Sequence, residues 1–283
     1  MSTALQFTAA GESAMELRHE GRPLLRYVFS AETPSDEATR PYAHPVCTLA
    51  GAELTNFRPN DHRWHHGLSF TINRVAEWNF WGGPTYRKAD GYRWRGDHGT
   101  QRHVAWRECS ATRLVQSLEW LSGAGELLLR ERRTLTPAID SSSVWSLRWQ
   151  AELENASGRV LPLGNCASQE QLVGSHYTGL QFRGARDLLD EHGDAAIGVF
   201  AESGAADEAA VHGVAANGIE WRGQKDGSQR RIAIRFANNA GPLHWFVRRG
   251  NPLVAFPFQF DRDLPLAPGD ALSIDHTLTF SDL

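Results

Sequence analysis

Cysteine is scarce, long apolar runs are missing, helical periodicity is faint, and neither sign of charge dominates. Each shortage removes a class of answers. Three cysteines, Cys47, Cys109 and Cys166, are odd in number and far apart, so no disulfide framework or CxxC site can be read from them. Their use fits a reducing compartment. No window approaches the roughly 20 apolar residues of a membrane span, and the start "MSTALQFTAAGESAMEL" lacks the basic and apolar regions of a secretory signal. The expectation is a cytoplasmic protein without a membrane partner. The 29 basic and 33 acidic residues are interspersed and leave a net charge of −4, which argues against nucleic acid as a partner. No P-loop, GxGxxG or GxSxG occurs, which sets aside NTPases, Rossmann dehydrogenases and serine hydrolases.

What is present is alternation. "WSLRWQAEL" puts Trp145, Leu147, Trp149, Ala151 and Leu153 on one face and polar residues on the other, as a strand with one buried face requires. "ALSIDHTLTF" repeats the pattern with Leu272, Ile274, Leu278 and Phe280, and places His276 on the apolar side as a core histidine with its hydrogen bonds satisfied. Glu20-Gly21 between "MELRH" and "LLRYVF", and "SGAGE" between "TRLVQSLEWL" and "ELLLRERRTL", read as hairpin turns. "RRIAIRF" and "LHWFVRR" add strands around "ANNAGP", and "GAADEAAVHG" reads as a surface turn. With no linker, repeat or low-complexity tract, residues 1–283 are expected to form one all-β domain, a large antiparallel sandwich or barrel.

Chemistry-bearing residues crowd one third of the chain. Six of ten tryptophans and six of twelve histidines, among them His44, lie between positions 44 and 120. The densest stretch, "RPNDHRWHHGLSF", holds Asp61, His62, His65 and His66. If it turns, the three histidines can converge, because positions three and four apart share a face. Gly67 would then let the backbone bend or approach a ligand closely. Imidazole suits proton transfer near neutral pH. The same Asp61, His62, His65 and His66 are also donors of the kind a divalent metal takes, although their spacing matches no established zinc signature. The third reading is a structural cluster whose members hydrogen-bond one another.

Downstream, "EWNFWGGPTY" offers Trp81 and Tyr86 as an aromatic wall for the apolar faces of a sugar. "DHGTQRH" adds His98, Gln101 and His103 as polar groups within reach of a pocket. Glu170 in "CASQEQLVGSHYTGLQFRG" is the candidate general base, close in sequence to Tyr177 and Arg183, and Arg248 in "HWFVRRGNP" is a candidate ligand for hydroxyls or an anion.

Taken together, "RPYAHPVCTLAG", "NDHRWHHGLSF", "NFWGGPTY", "GTQRH", "LRERRTL", "HYTGLQFRG" and "WFVRRGNPL" resemble, in order and spacing, a bacterial family of unknown function commonly labelled "methane oxygenase PmoA". The resemblance runs from about Arg40 to the C-terminus, with "DHxWHHG" its most specific motif. It implies a supersandwich similar to galactose mutarotase and the aldose epimerases, which bind a sugar on a concave sheet and use a histidine and a glutamate as acid and base. Carried over, His65 and His66 fall in the "HHG" motif. Glu170 precedes the family's "GYGG", which reads "SHYTG" here, with His176 in place of a small residue.

The expectation is therefore a carbohydrate-active enzyme of mutarotase or epimerase type, or one eliminating from an oxidised sugar. His65 or His66 would be the acid and Glu170 the base, with no cofactor unless the histidines hold a divalent metal. A sugar-binding protein without chemistry, and a metal-dependent lyase or oxygenase, are the alternatives. A small carbohydrate is the expected partner, and the assembly state is open, a homodimer included.

Overall fold

Two antiparallel sheets pack face to face, and alternation along each strand decides what lies between them. In the computed structural model, which describes residues 5–283, the smaller sheet has eight strands. In spatial order they are Gln6–Ala9, Ala14–His19, Arg22–Val28, Tyr42–Val46, Leu68–Ile72, Thr178–Arg183, Leu253–Phe256 and Phe246–Arg248. The larger sheet has nine, with Ala271–Asp282 at its centre between Arg231–Asn238 and Val144–Asn155, and Thr100–Cys109 at one edge. The chain is all-β, with only two short α-helices, Cys166–Glu170 and Glu208–Val211, and one 3-10 turn among the described residues.

The strands read from alternation form as expected. Trp145, Leu147, Trp149 and Leu153 are fully buried, and they face Phe70, Ile72, Leu180, Phe182 and Phe256 of the smaller sheet within one contiguous apolar cluster. Both expected hairpins are present, pairing Ala14–His19 with Arg22–Val28 and Leu114–Leu121 with Leu127–Ser141. The strands around "ANNAGP" exist but belong to different sheets: Arg231–Asn238 pairs within the larger one, Phe246–Arg248 within the smaller. "GAADEAAVHG" contains the short helix Glu208–Val211, whose Val211 is buried, in place of a surface turn. His276 is in the core as expected, but neither ring nitrogen has a hydrogen-bond partner, and burial depresses its pKa to about 3.

A polar network lies between the sheets. Glu131 and Arg133 occupy inward positions of the strand Leu127–Ser141 and pair at 2.6 Å. Arg133 also donates to the Tyr27 hydroxyl and to Gln101 Oε1, and Trp120 Nε1 donates to Glu131. Buried charges persist only when paired and hydrogen-bonded in this way. No helix of the described residues is long and apolar enough to cross a membrane. The three cysteines are free.

Candidate functional site

The outer face of the smaller sheet is where the polar groups converge. Period-two alternation turns Ser69 and Thr71 of one strand, and Gln181 and Arg183 of its neighbour, away from the apolar core, with Ser69 paired to Gln181 in register. All four are buried, because the segment 56–67 and the Trp81 region fold over them.

Segment 56–67 is a pair of tight turns. His62 N donates to Pro59 O at 3.0 Å, His65 N to His62 O at 3.0 Å, and Arg58 N to His65 O at 2.9 Å. Gly67 ends it in left-handed backbone, φ 53°, where a Cβ would lie 2.3 Å from Ala43 O. Glycine is needed there for the close approach of two strands, not of a ligand. The turn brings His62 and His65 together, stacked at 4.9 Å with planes 19° apart. It sends His66 the other way.

His65 and His62 are anchored by groups of opposite charge. His65 is 2% exposed, and Arg183 Nη1 donates to its Nδ1 at 3.2 Å. Burial first, and the Arg183 charge second, hold its pKa well below the ordinary histidine range. His65 is thus neutral, with its proton on Nε2. His62 Nδ1 lies 3.1 Å from Asp61 Oδ2, so it carries a proton toward the carboxylate, and in the neutral ring the lone pair is on Nε2. Asn251 Nδ2 sits 3.3 Å from the same Nδ1, but that nitrogen cannot both donate and accept, and the charge-assisted bond is the stronger. Asp61 also meets Arg183 at 3.5 Å and Arg186. Partial burial works against its ionisation, but His62 and Arg183 outweigh this and hold its pKa at about 2.

Aromatic rings enclose the pair. Trp81 stands edge-on to His65 at 5.9 Å and Trp64 to His62 at 5.1 Å. Trp64 continues to the exposed Trp94 at 5.9 Å, and Trp81 to Tyr177 at 5.3 Å. Gly83, φ 74°, makes room for the Trp64 ring, since a Cβ there would lie 2.4 Å from it. Below, Arg40 is fully buried and donates to Ser69 Oγ, Gln181 Oε1 and the carbonyls of Glu37, Ala38 and Trp64.

Of the residues named from sequence, Asp61, His62, His65, Trp81, Tyr177 and Arg183 come together. The others do not join them. His66 is fully buried with Nε2 2.9 Å from Glu37 Oε2, in a triad completed by Arg58. Burial brings its pKa to about 4. Glu170 ends its short helix tied to Arg87 Nη1 and the Lys88 N–H, each at 2.9 Å, and these bonds with Arg74 nearby keep its pKa low despite partial burial. Neither His65 nor His66 is among its partners.

Gln101 lies between the sheets, bonded to Phe70 O and Arg133, and His103 accompanies it through Gln116. His98 bonds to the Gly83 carbonyl at 2.7 Å, and Tyr86 packs on Tyr92. His44 holds Thr55 and stacks on Phe57. Arg248 belongs to a second cluster with His212. Sequence reading missed Glu37, Arg40, Gln181 and Arg186. Only Arg186, three positions after Arg183, carried any local signal.

The donor set Asp61, His62, His65 and His66 does not fit a metal. Arg183 reaches both Asp61 and His65 and so puts a permanent cation where the ion would sit, while His66 faces Glu37. Among the described residues no group of three or more His, Cys, Asp or Glu is arranged to hold one.

A model of a family described as "Family of unknown function (DUF6807)" matches residues 14–282. No curated protein matches the chain. Among solved structures, the chain is similar to a GalM/aldose epimerase homologue from C. elegans, with TM-score 0.36 and 10% identity over all of both chains. It is also similar to a human-microbiome protein assigned as a kojibiose phosphorylase, with TM-score 0.31 and 7% identity, over 60% of this chain and 18% of that one. The fold assignment rests on the two sheets themselves.

Proposed function

The chain belongs to DUF6807, a family of unknown function, so its chemistry must be argued from the site, and we propose that the smaller sheet's outer face binds a carbohydrate and shifts a proton on it. His62 is the base and His65 the hydrogen-bond donor. The observation that carries this is the stacked pair itself, with one ring anchored by a carboxylate and the other by a guanidinium. The anchors leave a lone pair on His62 Nε2 and an N–H on His65 Nε2. A neutral imidazole N–H can stabilise an oxygen that gains charge, as preorganised donors do.

In the proposed cycle, His62 takes a proton from the sugar and becomes an imidazolium balanced by Asp61. His65 N–H bonds the oxygen that becomes negative, and Arg183 reinforces it from behind. The imidazolium then returns the proton to the rearranged sugar. Nothing is oxidised and nothing else is consumed, so the outcome is an isomerisation or epimerisation. Trp64 and Trp94 supply faces for the ring's C–H groups, with Trp81 packed beneath His65.

The test is a saturation-transfer NMR screen of monosaccharides, with anomer and epimer exchange followed on each binder. Binding and exchange in the wild type, with binding kept but exchange lost in His62→Gln, is the expected result. Binding without exchange would make the protein a sugar-binding module. A fully active His62→Gln would remove His62 as the base.

A further inference from the structure

A second histidine pair lies at the far end of the aromatic row that begins at His65. The row passes from Trp81 to Tyr177 and then to Phe246, with ring centres 5.3 and 4.9 Å apart. Phe246 meets His212 at 5.2 Å, and His212 meets His176 at 5.7 Å.

The second pair is anchored as the first is. Arg248 Nη1 and the Val247 N–H both approach His212 Nδ1, at 3.0 and 3.3 Å, so that nitrogen accepts and the proton sits on Nε2. His176 Nε2 lies 3.3 Å from Asp261 Oδ1 and donates to it, leaving Nδ1 as a lone pair. Burial lowers the pKa of both rings, so each is neutral.

The two nitrogens left over, His212 Nε2–H and His176 Nδ1, are both buried, and neither has a hydrogen-bond partner. His176 as a whole is 5% exposed. A buried donor and a buried acceptor left open on two rings whose centres are 5.7 Å apart are unusual, because nearly all such groups are paired. One group satisfies both at once: a hydroxyl, which donates and accepts through a single oxygen. Phe260 covers the pair, stacked on His176 at 3.5 Å, and it belongs to the segment 257–263, which has no regular strand or helix. An incoming sugar ring would exchange with that side chain and not with packed sheet.

We propose that His176 and His212 form a second, hydroxyl-binding subsite, and that the ligand is an oligosaccharide with one histidine pair at each end, passing over the half-buried Tyr177, since Trp81 and Phe246 beneath it are themselves buried. This rests on the carbohydrate reading of the first pair. A bound water presents the same chemistry as a sugar hydroxyl, and the experiment separates the two.

The experiment follows the histidine ring nitrogens by long-range 1H–15N NMR in full-length protein. Glucose and galactose are titrated first, then maltose, cellobiose and lactose. The expected result is that a disaccharide moves the signals of His62, His65, His176 and His212, while the monosaccharides move only the first two. Disaccharides that move only His62 and His65 would leave water at the second pair and overturn this inference alone. No response from either pair to any sugar would overturn the carbohydrate reading with it.

Two variants, His212→Ala and His176→Asn, check the assignment. Each is expected to weaken disaccharide binding roughly tenfold, the worth of one such hydrogen bond, and to leave monosaccharide binding unchanged. Equal loss for both ligand sizes, or no loss, would count against the subsite.

Discussion

The two sheets present outer faces that differ in kind. The larger sheet's is an open trough of about 960 Å³ lined by alternating charges, among them Arg130, Arg132, Glu119, Glu152 and Asp275. Its charges are paired across strands, Arg102 with Glu119, Arg132 with Glu152 and Arg148 with Asp275, and remain largely in water. The smaller sheet's face has Ser69, Gln181, Arg183 and His65 buried beneath tryptophans, with the Arg183–His65 contact at its centre and the partly exposed Asp61–His62 contact at its rim. The open trough is thus the solvated face. Proximity to water makes a charge weak and adaptable. Burial makes it strong and fixed, which is how Arg183 sets the tautomer of His65.

Substitutions that treat the two faces alike should separate them. The largest effect is expected from Arg40→Met, which leaves four buried acceptor contacts and one half-buried one without their donor and should cost on the order of 3–5 kcal/mol in urea unfolding. The matched change Arg132→Met in the trough should cost about 1 kcal/mol or less. If the two lose equally, burial is not what distinguishes the faces.

A smaller effect is expected from pH. His44, His66 and His212 are depressed to about 4, chiefly by burial, and His276 to about 3. The unfolded chain, with histidines near 6.5, takes up protons first as pH falls. Stability is therefore full above about pH 6.5 and declines from there toward pH 4, read as a melting temperature that falls across that window. Replacing His66 by Gln should flatten that decline. Neutralising Glu152 in the trough should not change it.

The smallest effect is expected at Glu170. Its carboxylate is engaged by Arg87 and Lys88, so Glu170→Gln should lose about 1 kcal/mol of stability and leave sugar turnover within roughly twofold, since no chemical step would be lost. A collapse of turnover in that variant would return the general base to Glu170 and displace His62.

What could be read from sequence was local. "WSLRWQAEL" and "ALSIDHTLTF" carry their own alternation, and their pairing as neighbouring strands follows from two apolar faces needing one core. Whether "DHRWHHG" turns was left open by the sequence, but given the turn the meeting of residues three apart follows, as it does for His62 and His65. The fate of His66 was not. It depends on Glu37, 29 positions upstream in "TPSDEATR", where nothing in the local pattern marks a buried carboxylate. Glu170 misled for the same reason, its partner Arg87 lying 83 positions away. Gln101 and His103 looked like site residues because polar side chains in an aromatic-rich stretch suggest a pocket. The Glu131–Arg133 pair that draws Gln101 between the sheets comes from a different hairpin. The anchors that set tautomers were supplied by topology, which brings residues 61–65 beside the strand Thr178–Arg183.

The exposure of Trp94 has an optical consequence. Trp120, Trp145, Trp149, Trp221 and Trp245 are fully buried, whereas Trp94 is 59% exposed at the end of the aromatic rim. A water-soluble collisional quencher such as iodide would reach that indole first and leave the interior emission almost untouched. The quenchable fraction of the fluorescence would then report whether something rests on the rim, without any label being added to the protein.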